Sequence, residues 1–142
     1  MLSDKQQYNI IRKVAYKTRE FIFTNRNKLY PGSANHLGGL CDWASSALWS
    51  NLTREGLSPE VVQGGGHWFI KCGAWLVDVT ASQFGQGKVC IRNYDRTIEL
   101  ITSNTKAMHW WHPYKVHKTI KDAGMENNIK FIEQKTGINL GV

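Results

Sequence analysis

The sequence predicts an α+β domain in which helices pack on a small antiparallel sheet. Helical spacing of apolar residues recurs near the start, in the middle and near the end of the chain. Between the last two lie runs that read as adjacent hairpins, around Cys72-Gly73 and around Tyr94-Asp95-Arg96. Adjacent hairpins argue against the repeated strand–helix–strand units of an α/β fold. At 142 residues, 42% of them hydrophobic, the chain is expected to be a single domain over residues 1–142 with one core.

The elements follow in order. Ser3-x-x-Gln6 is a capping box, and Tyr8, Ile11, Val14, Ala15 and Phe21 or Ile22 follow at helical spacing. This predicts a helix over 4–24 with its basic residues on a solvated face. A loop over 27–39 turns at Pro31-Gly32. In CDWASSALWSNL the apolar positions Cys41, Ala44, Leu48 and Leu52 mark one face of a second helix, and Gly38-Gly39 lets the chain bend into it. Gly56 and Pro59 end that helix, residues 60–63 form a short strand, and Gly64-Gly65-Gly66 is a flexible connector, close approach of substrate backbone to His67 being the alternative. HWFIK (67–71) and AWLVDVT (74–80) are aromatic and β-branched runs about a two-residue break, which places Cys72 in an exposed turn. A loop over 80–87 holds Gln83 and Phe84. Residues 88–93 and 97–102 form the second hairpin, with Cys90 as a buried strand residue. Trp110 and Trp111 pack on the sheet or wall a cleft. A last helix over 117–135 buries Ile120, Met125, Ile129 and Ile132 and stops at Gly137.

Three of these residues carry chemistry. If Lys71 pairs with Ala74, His67 lies directly opposite Asp78 on one face of the hairpin, with Cβ atoms roughly 4.5–5.5 Å apart. A carboxylate so placed holds an imidazole in one tautomer and stabilises its charged form. Cys41 falls in or beside the first turn of its helix, where unpaired N–H groups and the positive dipole end favour a thiolate. The same N–H groups can stabilise an oxyanion formed by attack of that sulfur. A cross-strand polar pair and a buried structural cysteine are the alternatives for the two halves taken separately.

The segment 38–84, a third of the chain, resembles the core of the transglutaminase-like superfamily of papain-fold cysteine enzymes. The matching parts, in order, are Gly39-Leu40-Cys41, Trp43-Ala44, Leu48 and Leu52, Gly56 through Pro59, His67-Trp68, and Trp75-Leu76-Val77-Asp78-Val79-Thr80. The resemblance implies a papain-like topology, with the Cys-bearing helix central and flanked by N- and C-terminal helices. It implies Cys41 as nucleophile, His67 as general base and acid, and Asp78 as orienting carboxylate. Papain-like enzymes commonly carry a side-chain oxyanion donor upstream of the nucleophile. Asn35 has that chemistry, a turn asparagine being the alternative. Trp43 and Trp68 are the candidates for walls of the substrate cleft.

Composition narrows the function classes. The net charge is +7 with basic residues towards both ends, which suits a solvated basic surface or, as an alternative, nucleic acid. No zinc-finger, RRM or helix-turn-helix signature accompanies it. No apolar run approaches the ~18 residues of a membrane span, and no signal-peptide pattern opens the chain. Three cysteines, an odd number without framework spacing, favour a reducing, cytoplasmic compartment. His109, His112 and His117 lack the partners of a complete zinc site, so neither metal nor cofactor is expected. The leading expectation is a Cys41–His67–Asp78 enzyme that cleaves or exchanges an amide of a protein or peptide through a thioester: peptidase, glutamine deamidase or transamidase. An idle papain-like binding module and a basic nucleic-acid-binding domain are the competing expectations.

Overall fold

The computed structural model describes residues 2–104 and 107–140. Helix α1 (Asp4–Thr24) begins at the expected capping box: the Gln6 N–H donates to Ser3 Oγ at 3.1 Å, and the Ser3 N–H donates to Gln6 Oε1 at 2.8 Å. Its buried stripe is Ile11, Val14, Ala15, Thr18 and Ile22. Arg19 lies in that stripe too and is only 6% exposed, so the basic residues of α1 are not all on a solvated face. One turn of helix, α2 (Arg26–Leu29), interrupts the expected loop.

Helix α3 (Cys41–Arg54) starts at the cysteine, as the periodicity requires. Ala44, Ser45, Ala47, Leu48 and Leu52 are buried, and the small residues among them let the helix come close to its neighbours. Gly39 permits the entry, for two reasons. Its φ is +83°, and a Cβ would lie 2.3 Å from the Tyr30 ring.

Five antiparallel strands follow: β1 (Pro59–Gln63), β2 (Trp68–Cys72), β3 (Trp75–Asp78), β4 (Cys90–Asn93) and β5 (Lys115–His117), in the spatial order β4-β3-β2-β1-β5. Helix α4 (Tyr94–Ser103) follows β4, and α5 (Glu126–Thr136) closes the described fold. The protein is therefore α+β. One face of the sheet meets the large core that contains Leu48, Leu52, Ile70, Val77 and Ile132. A second cluster gathers Val62, Phe69, Leu76, Cys90, Tyr94, Ile101 and Trp111. No helix among the described residues is long and apolar enough to cross a membrane.

The β2–β3 register differs from the expected one by two residues. Cys72 pairs with Trp75 and Lys71 with Leu76, so the turn is Gly73-Ala74. Gly73 has φ +59° and Ala74 has no positive φ, which is the pattern of a primed hairpin turn with glycine first. Cys72 is consequently a strand residue, 1% exposed, and not part of an exposed turn.

The second hairpin does not form. Residues 97–102 belong to α4, because Asn93 caps it, accepting the Arg96 N–H at 2.9 Å, and Tyr94, Thr97 and Ile101 make a buried helical stripe. The β-branched Thr97, Ile98, Ile101 and Thr102 suggest a strand when propensity alone is read. The final helix is also shorter than expected: 115–117 pairs with β1 as an edge strand, and turns precede α5. Ile120, Met125, Ile129 and Ile132 are buried as expected, and Gly137 ends α5 at φ +73°. The glycine run is more than a connector. A Cβ on Gly64 would lie 2.1 Å from the Trp110 carbonyl oxygen, and one on Gly65 2.6 Å from that of His109. Only glycine lets the 109–111 turn press against the entrance to β2.

Candidate active site

The two-residue shift in register leaves His67 and Asp78 on one face of the hairpin. Side chains alternate between faces with period two, so a shift of two preserves the face. His67 and Asp78 become diagonal neighbours instead of directly opposed ones, within reach of long side chains. His67 Nε2 lies 2.6 Å from Asp78 Oδ2, and each residue is 2% exposed. With a carboxylate as acceptor, Nε2 carries the proton, and Nδ1 is the nitrogen left for other work.

Asp78 is held by more than the histidine. Its Oδ2 also accepts the Trp111 Nε1–H at 2.7 Å, and its Oδ1 accepts the Thr80 backbone N–H at 2.8 Å. Behind it, Arg19 donates to the Val79 carbonyl at 2.9 Å and to Ser82 Oγ at 2.7 Å. Ser82 Oγ in turn donates to the His36 carbonyl at 2.8 Å. This chain of bonds joins α1, the loop before Cys41 and the segment after Asp78. Local sequence does not single out Trp111, Thr80 or Arg19 as participants. The available signal was that a buried indole N–H or guanidinium must find an acceptor.

Cys41 is half-buried and lines a cleft of about 320 Å³ with Gly39, Asp42, Gln63, Gly64, Gly66, His67 and Trp68. His67 Nδ1 is buried and completes no well-formed hydrogen bond. Cys41 nevertheless raises the pKa of the imidazole, as a hydrogen-bonding group and as a charge. At the start of α3 the Trp43 N–H is taken by Asp42 Oδ1 at 2.9 Å, and the Ala44 N–H by the Leu40 carbonyl. The Cys41 N–H is, by covalent geometry, the first-turn amide beside the sulfur.

Two expected residues lie elsewhere. The Asn35 side chain is exposed and accepts from Arg26 Nη2 at 3.1 Å, so it is a loop contact and does not line the cleft. Trp43 stacks on Phe131 of α5, ring centres 5.2 Å apart, and its edge meets Tyr30. It packs α3 against α5 instead of walling the cleft. Trp68 does line the cleft. Phe84 meets the His67 ring edge-on at 5.0 Å, and Trp110 stacks on Phe84 behind it. Among the described residues, no three His, Cys, Asp or Glu side chains gather as metal ligands would.

Burial opposes a charge on His67, but the Asp78 hydrogen bond, the Cys41 contact and the charges of both outweigh it and raise its pKa to about 9. An unfolded histidine titrates near 6.5. His67 therefore contributes stability that is complete below about pH 6.5 and lost as pH rises through about 9. The buried Cys72 and Cys90 thiols, each pushed up to about 11 chiefly by burial, add their own loss only above roughly pH 8.5. Urea midpoints are expected to fall between pH 6.5 and 8.5 in the wild type and to stay flatter in His67→Gln. Parallel curves for the two proteins would show that the imidazole is not held charged.

No protein-family model, no curated protein and no solved structure matches the chain.

Proposed function

We propose that this protein is a cysteine-dependent amide hydrolase or acyl-transferase that acts on a protein or peptide through a thioester, in the manner of papain-like and transglutaminase-like enzymes. The observation that carries the reading is the buried His67–Asp78 pair, with His67 and Cys41 lining one cleft. In this reading the thiol proton already rests on Nδ1 of the charged imidazole, Sγ attacks the substrate carbonyl carbon as the thiolate, and the electron pair moves to the carbonyl oxygen. The Cys41 N–H at the start of α3 donates to that oxyanion. As the intermediate collapses, the C–N bond breaks and the imidazolium gives its proton to the leaving amine, which frees the thioester. Water or a second amine then resolves the thioester, with His67 again as base. Asp78, held by Trp111 and the Thr80 N–H, keeps Nε2 protonated and the ring oriented throughout.

The test is to incubate the protein with short peptide esters and glutaminyl peptides, quench in acid and locate adducts by mass spectrometry. An acyl adduct on Cys41 that hydroxylamine removes is expected, and Cys41→Ala should lack it. Acylation spread evenly over Cys41, Cys72 and Cys90, or absent from all three, would favour a binding module without catalysis.

A further inference from the structure

We propose that the cleft selects substrates bearing a single cationic group beside the scissile carbonyl, with Asp42 as the residue that recognises it. This inference rests on the thioester reading and names the substrate class for that same site. It starts from the charges that line the cleft. Of its eight lining residues, Gly39, Gly64 and Gly66 offer only backbone, and Gln63 and Trp68 are uncharged. Counting Asp78, which pairs with His67 at 2.6 Å, the Cys41–His67–Asp78 group carries no net positive charge, whether the sulfur is thiol or thiolate and the imidazole neutral or charged. Asp42 is the remaining charged side chain, and no lining residue is a lysine or arginine. The cleft is therefore acidic within a chain of net charge +7.

The position of Asp42 fixes what it can reach. Asp42 lines the same cleft as Cys41, one residue further along α3. One carboxylate oxygen accepts the Trp43 N–H at 2.9 Å, which anchors the side chain. No basic side chain pairs with the carboxylate among the described residues. Burial raises the Asp42 pKa, only partly offset by the hydrogen bond from Trp43. A carboxylate that has lost water without gaining a counter-ion is stabilised by an incoming ammonium or guanidinium. Trp68 supplies an indole wall in the same cleft, suited to the methylene stem of a lysine or arginine and to its cation. The volume, about 320 Å³, is at the small end of ligand sites, which run roughly 300–1,000 Å³. It suits one long side chain better than an extended basic peptide, which the positive surface would also repel.

Peptidyl chloromethyl ketones test this, since displacement of chloride by Cys41 Sγ reports binding beside the reacting carbon. Acetylated probes would carry Lys, Arg, norleucine or Glu next to the ketone. A fifth probe, norleucine with a free amino terminus, separates an α-ammonium from a side-chain cation. In the wild type, either the Lys and Arg probes or the free-amine probe is expected to label Cys41 about tenfold faster than acetyl-norleucine, with Glu slowest. Asp42→Asn keeps the oxygen that accepts the Trp43 N–H, so the start of α3 is retained while the charge is lost. It should bring the cation-to-norleucine ratio to within about twofold. Equal rates for cationic and neutral probes in the wild type, or a preference that survives in Asp42→Asn, would overturn the inference and leave the thioester reading standing. If iodoacetamide finds Cys41 no more reactive than Cys72 and Cys90, the thioester reading falls, and this inference with it.

Discussion

Replacing Cys41 with alanine is expected to abolish turnover, lowering the rate by about 10⁴-fold or more, and His67→Ala to cost nearly as much. The two losses should be similar because the groups act as a unit: the thiol needs an acceptor for its proton, and the imidazole has no other nucleophile in the cleft. The double variant should then be little worse than either single one. Alkylation gives an assay that needs no substrate. Cys72 and Cys90 are buried, and burial pushes each of their thiols up to about 11. Iodoacetamide should therefore label the folded protein at Cys41 alone near neutral pH, and Cys41→Ala should take up almost nothing until it is unfolded. A Cys41→Ala protein that kept wild-type turnover would remove the nucleophile from the mechanism.

The second large effect is expected at Asp78, where stability and activity fall together. Asp78→Ala leaves the Trp111 indole N–H, the Thr80 N–H and His67 Nε2 without their acceptor, all in the interior. It also removes the counter-charge that Arg19 faces. Stranding buried polar and charged groups costs about 3–5 kcal/mol, a fall in Tm on the order of 10–15 °C. Asp78→Asn is the sharper test. The carboxylate accepts hydrogen bonds at both oxygens, from Thr80 at Oδ1 and from Trp111 and His67 at Oδ2. An amide has one acceptor, so its NH₂ must meet either the Thr80 N–H or the indole N–H. Where it faces His67, it moves the ring proton to Nδ1, the nitrogen that must accept the thiol proton. A rate loss of about 10³–10⁴ is expected with a smaller loss of stability than in the alanine variant. An Asp78→Asn protein with wild-type rate and Tm would show that the carboxylate is dispensable.

Local signals determined a good part of this protein. The capping box and apolar spacing placed α1, the Gly-Leu-Cys entry placed the start of α3, and Gly137 placed the end of α5. They also put His67 and Asp78 on one face, and that survived a register error because alternation in a strand depends only on parity. What the tertiary structure decided was every matter in which a residue's role depends on a distant partner. Residues 97–102 are helical because the Asn93 cap and a face packed in the second cluster outweigh β-branched propensity, and 115–117 is a strand because β1 offers it an edge. Trp43 serves α5 and Asn35 serves Arg26, while Trp111 and Arg19 reach Asp78 or its neighbour from remote parts of the chain. Spacing along a helix or strand is encoded within a few residues. The acceptor that satisfies a buried N–H is chosen by packing across the whole fold, and only the folded chain displays that choice.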